Sequence, residues 1–196
     1  MKSSLFISIV LLSSLLSGCV AEEEMIQEDS SNEVPERISF SAPLLNGSSN
    51  MSNFVLEDYV SDGPVLMLWV AAGCMGCHSW TDLLSNEVEN GNISESSLLS
   101  IHRYPSFESE AYVNEVYGSD ENSTNPVSWP LVLPTEDTVV YDIETGSESD
   151  SSFYNSFGNP STPTLQIMNT EGEIVWTSRT YWPTSGVLEE IKVLIN

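Results

Sequence analysis

The spacing of the hydrophobic residues changes along this chain, and each change predicts a different element of secondary structure. Residues 38–45 predict a short strand, and residues 54–60 predict a brief helical or extended turn that ends at the breaker sequence Asp-Gly-Pro, 62–64. Residues 65–71 are all apolar and lie between breakers, a pattern typical of a central strand that is buried on both faces.

A helical period replaces the strand pattern after residue 77. Apolar residues recur on one helical face until Gly91, so we expect an amphipathic helix that a glycine terminates; they are Trp80, Leu83, Leu84 and Val88. Residues 97–101 predict a second strand. Residues 106–117, followed by Gly118, predict a second helix.

The second half of the chain begins with a polar stretch, residues 119–150, in which only 129–133 and 138–143 have the composition of strands. We interpret this stretch as an insertion between the two halves of one core. The elements that follow are a short helix at 151–157, a hairpin of strands at 164–168 and 173–178, and a final helix at 185–195. This alternation of periods predicts an α/β domain.

Residues 1–18 have the pattern of an export signal. One cation, Lys2, precedes an apolar run at 5–16, which is shorter than the roughly 20 residues that a membrane-spanning helix needs. Leu-Ser-Gly-Cys at 16–19 resembles the prokaryotic lipobox, whose cysteine is lipidated and becomes the new N-terminus. We therefore expect a lipid on Cys19 and a location on the extracytoplasmic face of the cell membrane. The alternative is an ordinary secretory signal with an incidental cysteine.

Charge defines the next segment and limits the function. Residues 19–36 are expected to be a flexible tether, because seven acidic residues and no basic ones lie between 21 and 36, with few apolar side chains. Residues 37–196 would then form the folded domain. The net charge of −24, with only five Lys and Arg, excludes a nucleic-acid surface, because phosphate binding requires clustered cations.

The candidate chemistry is the CxxC sequence Cys74-Met75-Gly76-Cys77, placed where the apolar strand gives way to the helix. Free N–H groups at a helix start stabilise a thiolate, so we expect the pKa of Cys74 below the free-cysteine value of about 8.5. Cys77 is placed to resolve a mixed disulfide by intramolecular attack. If Cys19 carries lipid, these two of the three cysteines form a closed pair that suits a non-reducing compartment.

Further motifs occur in a recognisable order. Thr162-Pro163 directly precedes a predicted strand, a place where a cis proline is expected. Together with the other motifs, this proline makes the chain resemble the TlpA/ResA-like, redoxin-type branch of the thioredoxin superfamily over residues 38–195. The other motifs are the segments 42–47 and 56–59, the strand and CxxC at 64–77, and the terminal hairpin. The resemblance implies a thioredoxin-like fold, a central mixed β-sheet flanked by helices, here with an N-terminal extension.

The same resemblance implies a membrane-anchored thiol-disulfide oxidoreductase without a cofactor or metal. Cys74 would be the nucleophile, Cys77 the resolving thiol, and Thr162 and Pro163 would bind the substrate backbone. The implied partners are a protein thiol or disulfide substrate and a membrane or extracytoplasmic electron donor. The direction of electron transfer stays open.

The sequence departs from that family pattern in three places. Gly73 stands before the first cysteine where the family usually has Trp, and Met-Gly between the cysteines lacks the common Pro. No acidic residue occurs within 65–72 to handle protons.

Three alternatives use the same cysteines. Cys-x-x-Cys-His at 74–78 matches the pattern for covalent c-type haem, with His78 as axial ligand. Two thiolates and an imidazole also suit Cu(I), although copper-delivery relatives space their cysteines by three residues. A zinc site would need both His78 and His102 at an unusual spacing. Otherwise we expect His78 to be an exposed, neutral ring that modulates the chemistry, and His102 to be structural or exposed.

Overall fold

Two β-sheets and five α-helices form the part of the chain that the computed structural model describes, residues 34–45, 53–119 and 121–196. The predicted export signal, Cys19 and most of the tether lie outside the described residues. In chain order the elements are β1 Ile38–Ala42, β2 Phe54–Val55, α1 Leu56–Val60, β3 Val65–Val70, α2 Met75–Glu89, β4 Leu98–His102, α3 Glu110–Tyr117, β5 Leu131–Val132, β6 Val140–Asp142, α4 Phe153–Ser156, β7 Thr164–Met168, β8 Ile174–Ser178 and α5 Ser185–Ile195.

The central sheet has five strands in the order β5-β4-β3-β7-β8. β3, β4 and β5 run parallel to one another, whereas β7 pairs antiparallel with both β3 and β8. This mixed sheet flanked by helices confirms the predicted fold class. Every residue of β3 is buried, as the continuous apolar run predicted.

Successive side chains of β3 face opposite sides of the sheet, so the strand contributes to two cores. Leu66 and Leu68 pack in a core with Trp80 of α2. Met67 and Trp69 pack in the other core, which also contains residues of the smaller sheet. Because both faces are covered, no position of β3 favours a polar side chain.

The smaller sheet is antiparallel, with the order β2-β1-β6. Its third strand comes from the polar stretch 119–150, which we predicted to be an insertion. The same stretch supplies β5 to the central sheet. It therefore contributes one short strand to each sheet.

Several predicted element boundaries change in the structure, among them those of the second helix and the first strand. The second helix, α3, begins at Glu110 rather than at residue 106, because the Ser109 side chain caps it by accepting a hydrogen bond from Tyr112 N at 3.2 Å. The first strand, β1, ends at Ala42, before Pro43. Within the described residues, we find no helix whose length and hydrophobicity would let it span a membrane.

Candidate active site

Cys74 and Cys77 form a disulfide at the N-terminus of α2, with their Cα atoms 5.2 Å apart. Cys74 is the N-cap residue of this helix, and its Sγ accepts a hydrogen bond from Cys77 N at 3.1 Å. Within the described chain, the first turn of α2 carries no acidic residue. The sulfur that we predicted to be the nucleophile therefore lies at the positive end of a helix dipole.

The two sulfurs differ in depth. Cys74 keeps 8% of its surface exposed, whereas Cys77 is fully buried. Cys77 Sγ lies 3.8 Å from the backbone oxygen of Trp69, inside the end of β3. An incoming thiol or disulfide would therefore reach Cys74 before Cys77.

The peptide bond between Thr162 and Pro163 is cis, as the sequence predicted. The next residue, Thr164, begins β7 and pairs with Trp69 of β3. Because β3 leads out of the sheet towards Cys74 while β7 enters it from Pro163, both segments lie at the same end of the sheet. The structure thus brings these predicted site residues together.

Two arginines hold the segment that leads to the cis proline. Arg103 donates from Nε to Pro160 O and from Nη2 to Asn159 Oδ1, both at 2.9 Å. Arg179 donates from Nη2 to Gly158 O at 3.2 Å. The Arg103 guanidinium also lies 3.9 Å from the centre of the Tyr154 ring. Neither arginine is among the site residues predicted from the sequence.

His78 is half-buried rather than exposed, which corrects the expectation for a residue on the first helical turn. Its Nε2 lies 2.8 Å from Ala72 O, and its ring packs edge-on against Tyr117. A carbonyl oxygen only accepts, so Nε2 carries the hydrogen in this contact. The ring therefore supports the loop that leads to Cys74.

Glu108 is the acidic residue of the site, and it is not among the site residues predicted from the sequence. Its Oε2 accepts from Ala72 N at 2.8 Å, and its Oε1 accepts from Gly73 N at 2.9 Å. His102, which is 2% exposed, places its Nε2 3.0 Å from Glu108 Oε2. Burial lowers the pKa of His102 and outweighs the opposite effect of Glu108. His102 is thus structural, as one of the two predicted options had it.

A signal for this arrangement did exist in the sequence. The predicted strands at 65–71 and 97–101 are parallel neighbours in the structure, and polar residues that follow such strands meet at one edge of the sheet. His102 and Arg103 occupy that position after β4. Glu108, in the loop before α3, had no local pattern to mark it.

Gly76 allows close contact between the CxxC turn and the segment after β8. A Cβ atom at this position would lie 2.6 Å from the backbone oxygen of Tyr181. Trp80 fixes the same segment, since its Nε1 donates to Thr180 O at 2.8 Å. Gly76 in the Met-Gly pair therefore has a packing reason that the sequence alone did not give.

Exposed apolar side chains occur on the segments around the disulfide. Met75 lies between the cysteines, Tyr181 and Trp182 follow β8, and Phe107 precedes Glu108; all four are exposed. Such a group of side chains can bind an apolar segment of another protein.

No group of three or more His, Cys, Asp or Glu side chains in the described part of the chain could hold a metal ion. His78 is bonded to Ala72 O, and the two sulfurs are bonded to each other. Within the described residues, His78 and the two sulfurs are therefore not arranged as a copper or zinc ligand set.

No protein-family model matches the chain, and no curated protein matches it. Solved structures with a similar fold do exist. The thioredoxin domain of a thiol-disulfide oxidoreductase from Bacteroides vulgatus has a TM-score of 0.52 at 16% identity, covering 81% of this chain and 94% of that chain. StoA from Bacillus subtilis has a TM-score of 0.50 at 14% identity, covering 81% and 98%.

A thiol-disulfide oxidoreductase from Bacteroides fragilis is similar to the same extent, with a TM-score of 0.50 at 13% identity over 78% of this chain and 96% of that chain. At such identities the likeness concerns the fold. The sheet order, the CxxC disulfide at the start of α2 and the cis proline before β7 agree with it. The chain therefore has the thioredoxin-like fold.

Proposed function

We propose that this chain is a thiol-disulfide oxidoreductase that exchanges disulfides with protein substrates through Cys74 and Cys77. The observation that carries the proposal is the disulfide at the N-terminus of α2, with Cys74 nearer the surface and the Thr162–Pro163 loop at the same end of the sheet. The similar solved structures support it, since several are named thiol-disulfide oxidoreductases. We assign the chain to the TlpA/ResA-like branch on its motifs.

The reaction needs only the two thiols and a substrate disulfide. The Cys74 thiolate attacks one substrate sulfur, so that a mixed disulfide forms, the substrate S–S bond breaks and a substrate thiolate leaves and takes up a proton. Cys77, after losing its proton, attacks Cys74 Sγ and releases the second substrate thiol. Two electrons and two protons have then passed to the substrate. A thiol donor resets the pair by the reverse steps.

The substrate would lie across the cis-proline loop. In this proposal the backbone at Thr162 and Pro163 pairs with an extended substrate segment beside Cys74. Arg103 and Arg179 bind the preceding segment from two sides, which supports a rigid loop at this position. The exposed Met75 and Trp182 would contact apolar substrate side chains.

We further propose that the protein works on the extracytoplasmic face of the membrane, held by lipid on Cys19. The lipobox-like sequence at 16–19 and the acidic segment at 19–36 support this location. With a net charge of −24, attraction to anionic lipid head groups is disfavoured, so the lipid would supply the membrane affinity.

Insulin reduction by dithiothreitol, followed by turbidity, tests the proposed activity. We expect the full-length protein in detergent to accelerate precipitation of the insulin B chain. The matched control is the double variant Cys74→Ser/Cys77→Ser, which lacks both thiols. Equal rates with the wild-type protein and the double variant would contradict the proposal.

A further inference from the structure

A carboxylate binds the backbone immediately before the proposed nucleophile. Both oxygens of Glu108 accept backbone N–H groups, those of Ala72 and Gly73, which are the two residues before Cys74. A Cβ atom on Gly73 would lie only 3.5 Å from Glu108 Oε1. Two acceptor oxygens are the arrangement of an ionised carboxylate. The loop that leads to Cys74 therefore carries negative charge from a residue far away in the sequence.

In the part of the chain that the structure describes, no Lys or Arg forms an ion pair with this carboxylate. His102 contacts it from the end of β4, but burial lowers the pKa of His102, so the neutral ring is favoured near pH 7. From α3, Tyr117 donates its hydroxyl to Ala71 O, and burial, followed by the charge of Glu108, raises its pKa, so that it stays protonated. The other groups facing this region are His78 of α2, on Ala72 O, and Asp82 and Tyr112, which act on Tyr117.

The nearest cation in the sequence, Arg103, is engaged elsewhere. Its guanidinium binds Asn159 and Pro160 and stacks on Tyr154. Two opposite electrostatic effects therefore act on the Cys74 sulfur. The N-terminus of α2 stabilises a thiolate, whereas the Glu108 charge destabilises it and also occupies the N–H groups of the preceding loop.

We propose that Glu108, held by His102, is a positioning residue that makes the Cys74–Cys77 couple more reducing than the helix N-terminus alone would make it. This inference rests on the proposed function. A carboxylate raises the free energy of the dithiol form whenever Cys74 is a thiolate, but it leaves the neutral disulfide unaffected. The disulfide is then favoured, and the dithiol passes its electrons to substrates more readily.

The proposal selects a direction for the reaction. Forming the Cys74–Cys77 bond releases two electrons, which break the S–S bond of the substrate. The Cys77 thiol supplies one proton and the solvent supplies the other, which completes the substrate dithiol. The disulfide left on this chain must then be reduced by a second dithiol, from a protein or small molecule on the same side of the membrane. The chain would thus act as a reductase of protein disulfides.

Glu108→Gln in the full-length protein tests the inference, with Glu110→Gln as the matched control. Glu110 is exposed at the start of α3, so its substitution removes the same charge without touching the loop. Two quantities are measured between pH 6 and pH 9.5: the rate of Cys74 alkylation by iodoacetamide, and the dithiol-disulfide equilibrium against dithiothreitol. The first gives the thiolate pKa, and the second gives the reduction potential.

We expect Glu108→Gln to lower the alkylation midpoint by about one pH unit. Above the wild-type midpoint the equilibrium should move about tenfold towards the dithiol, equivalent to about 30 mV for a two-electron couple. Below the midpoint of the variant the shift should vanish, because neither protein then carries a thiolate. Glu110→Gln should leave both quantities at their wild-type values.

A purely structural role for Glu108 would change the equilibrium equally at all pH values, and that result would overturn the inference, as would an unchanged alkylation midpoint. If Glu108→Gln does not fold, Glu108→Asp takes its place, with Glu110→Asp as control. Glu108→Asp keeps the charge, but its shorter side chain places the carboxylate farther from the loop. The alkylation midpoint of Cys74 should therefore fall by less than one pH unit in this variant. If the wild-type protein did not accelerate insulin reduction, that result would instead refute the proposed function.

Discussion

Glu108 Oε1 accepts a hydrogen bond from Gly73 N at 2.9 Å, although the two residues are 35 positions apart in the sequence. Two further side chains hold the same loop. Tyr117 donates its hydroxyl to Ala71 O at 2.9 Å, and His78 contacts Ala72 O at 2.8 Å. Three side chains thus fix the backbone before Cys74, which keeps its sulfur at the N-cap of α2.

Replacing each cysteine of the pair should have different consequences. Cys74→Ser should reduce insulin exchange to the uncatalysed rate, because the nucleophile is gone, whereas Cys77→Ser should accumulate mixed disulfides that no second thiol resolves. Non-reducing electrophoresis and mass spectrometry would detect the trapped species. If Cys77 proved to be the more readily alkylated thiol, the assigned roles would be wrong.

Cys19→Ser should abolish lipid labelling and release the protein from the membrane fraction with its exchange activity intact. The reason is that, among the described residues, the side chains that hold the loop before Cys74 all come from the domain at 37–196. Labelling with a clickable fatty acid and fractionation by ultracentrifugation measure the effect. Cys74→Ser is the matched control and should stay labelled and membrane-bound. Persistent tight membrane association of the Cys19 variant would show that another feature is the anchor.

Gly76→Ala should destabilise the domain, because the new Cβ would lie 2.6 Å from Tyr181 O, a backbone atom that cannot rotate away. We expect a loss of about 1–3 kcal/mol in the free energy of unfolding, typical of overpacking. Alanine favours a helix over glycine by about 1 kcal/mol, so any net loss reports the clash.

The control for that substitution is Gly73→Ala, whose Cβ would make an ordinary contact at 3.5 Å with Glu108 Oε1. Urea denaturation should place this variant within about 0.5 kcal/mol of the wild-type protein. Equal stability losses in the two variants would refute the contact-specific explanation.

His102 should make the domain less stable in mild acid. Burial lowers its pKa in the folded state from the ordinary value of 6.5, so the unfolded chain takes up a proton first as the pH falls. Stability is unaffected by His102 above that value and declines below it, by at most about 1.4 kcal/mol per pH unit for one proton. Urea denaturation at pH 7.5 and pH 5.5 measures the change.

His102→Gln is the informative comparison, because its side-chain amide can still donate to Glu108 but does not titrate in this range. It should lose less stability between the two pH values than the wild-type protein. His78→Gln serves as the control at the other histidine. An identical acid loss in the wild-type protein and His102→Gln would contradict this account of His102.

Local patterns in the sequence determined the elements that carry the site. The apolar run at 65–71 became the buried β3, and the CxxC sequence stands where α2 begins. The hairpin of β7 and β8 turns at Gly172, whose φ of +84° suits glycine. These features depend on side-chain period and turn chemistry within a few residues, so they can be predicted without knowledge of the fold.

The tertiary structure alone decided which distant groups surround the disulfide. Glu108, His102 and Arg103 have no spacing that links them to Cys74. They lie at the same edge of the sheet as Cys74 because β3 and β4 are parallel neighbours, so the chain leaves both strands at that edge. Strand order and register come from packing of the whole core rather than from any short segment. The Glu108 charge on the loop before Cys74 therefore could not be predicted until the pairing of the strands was known.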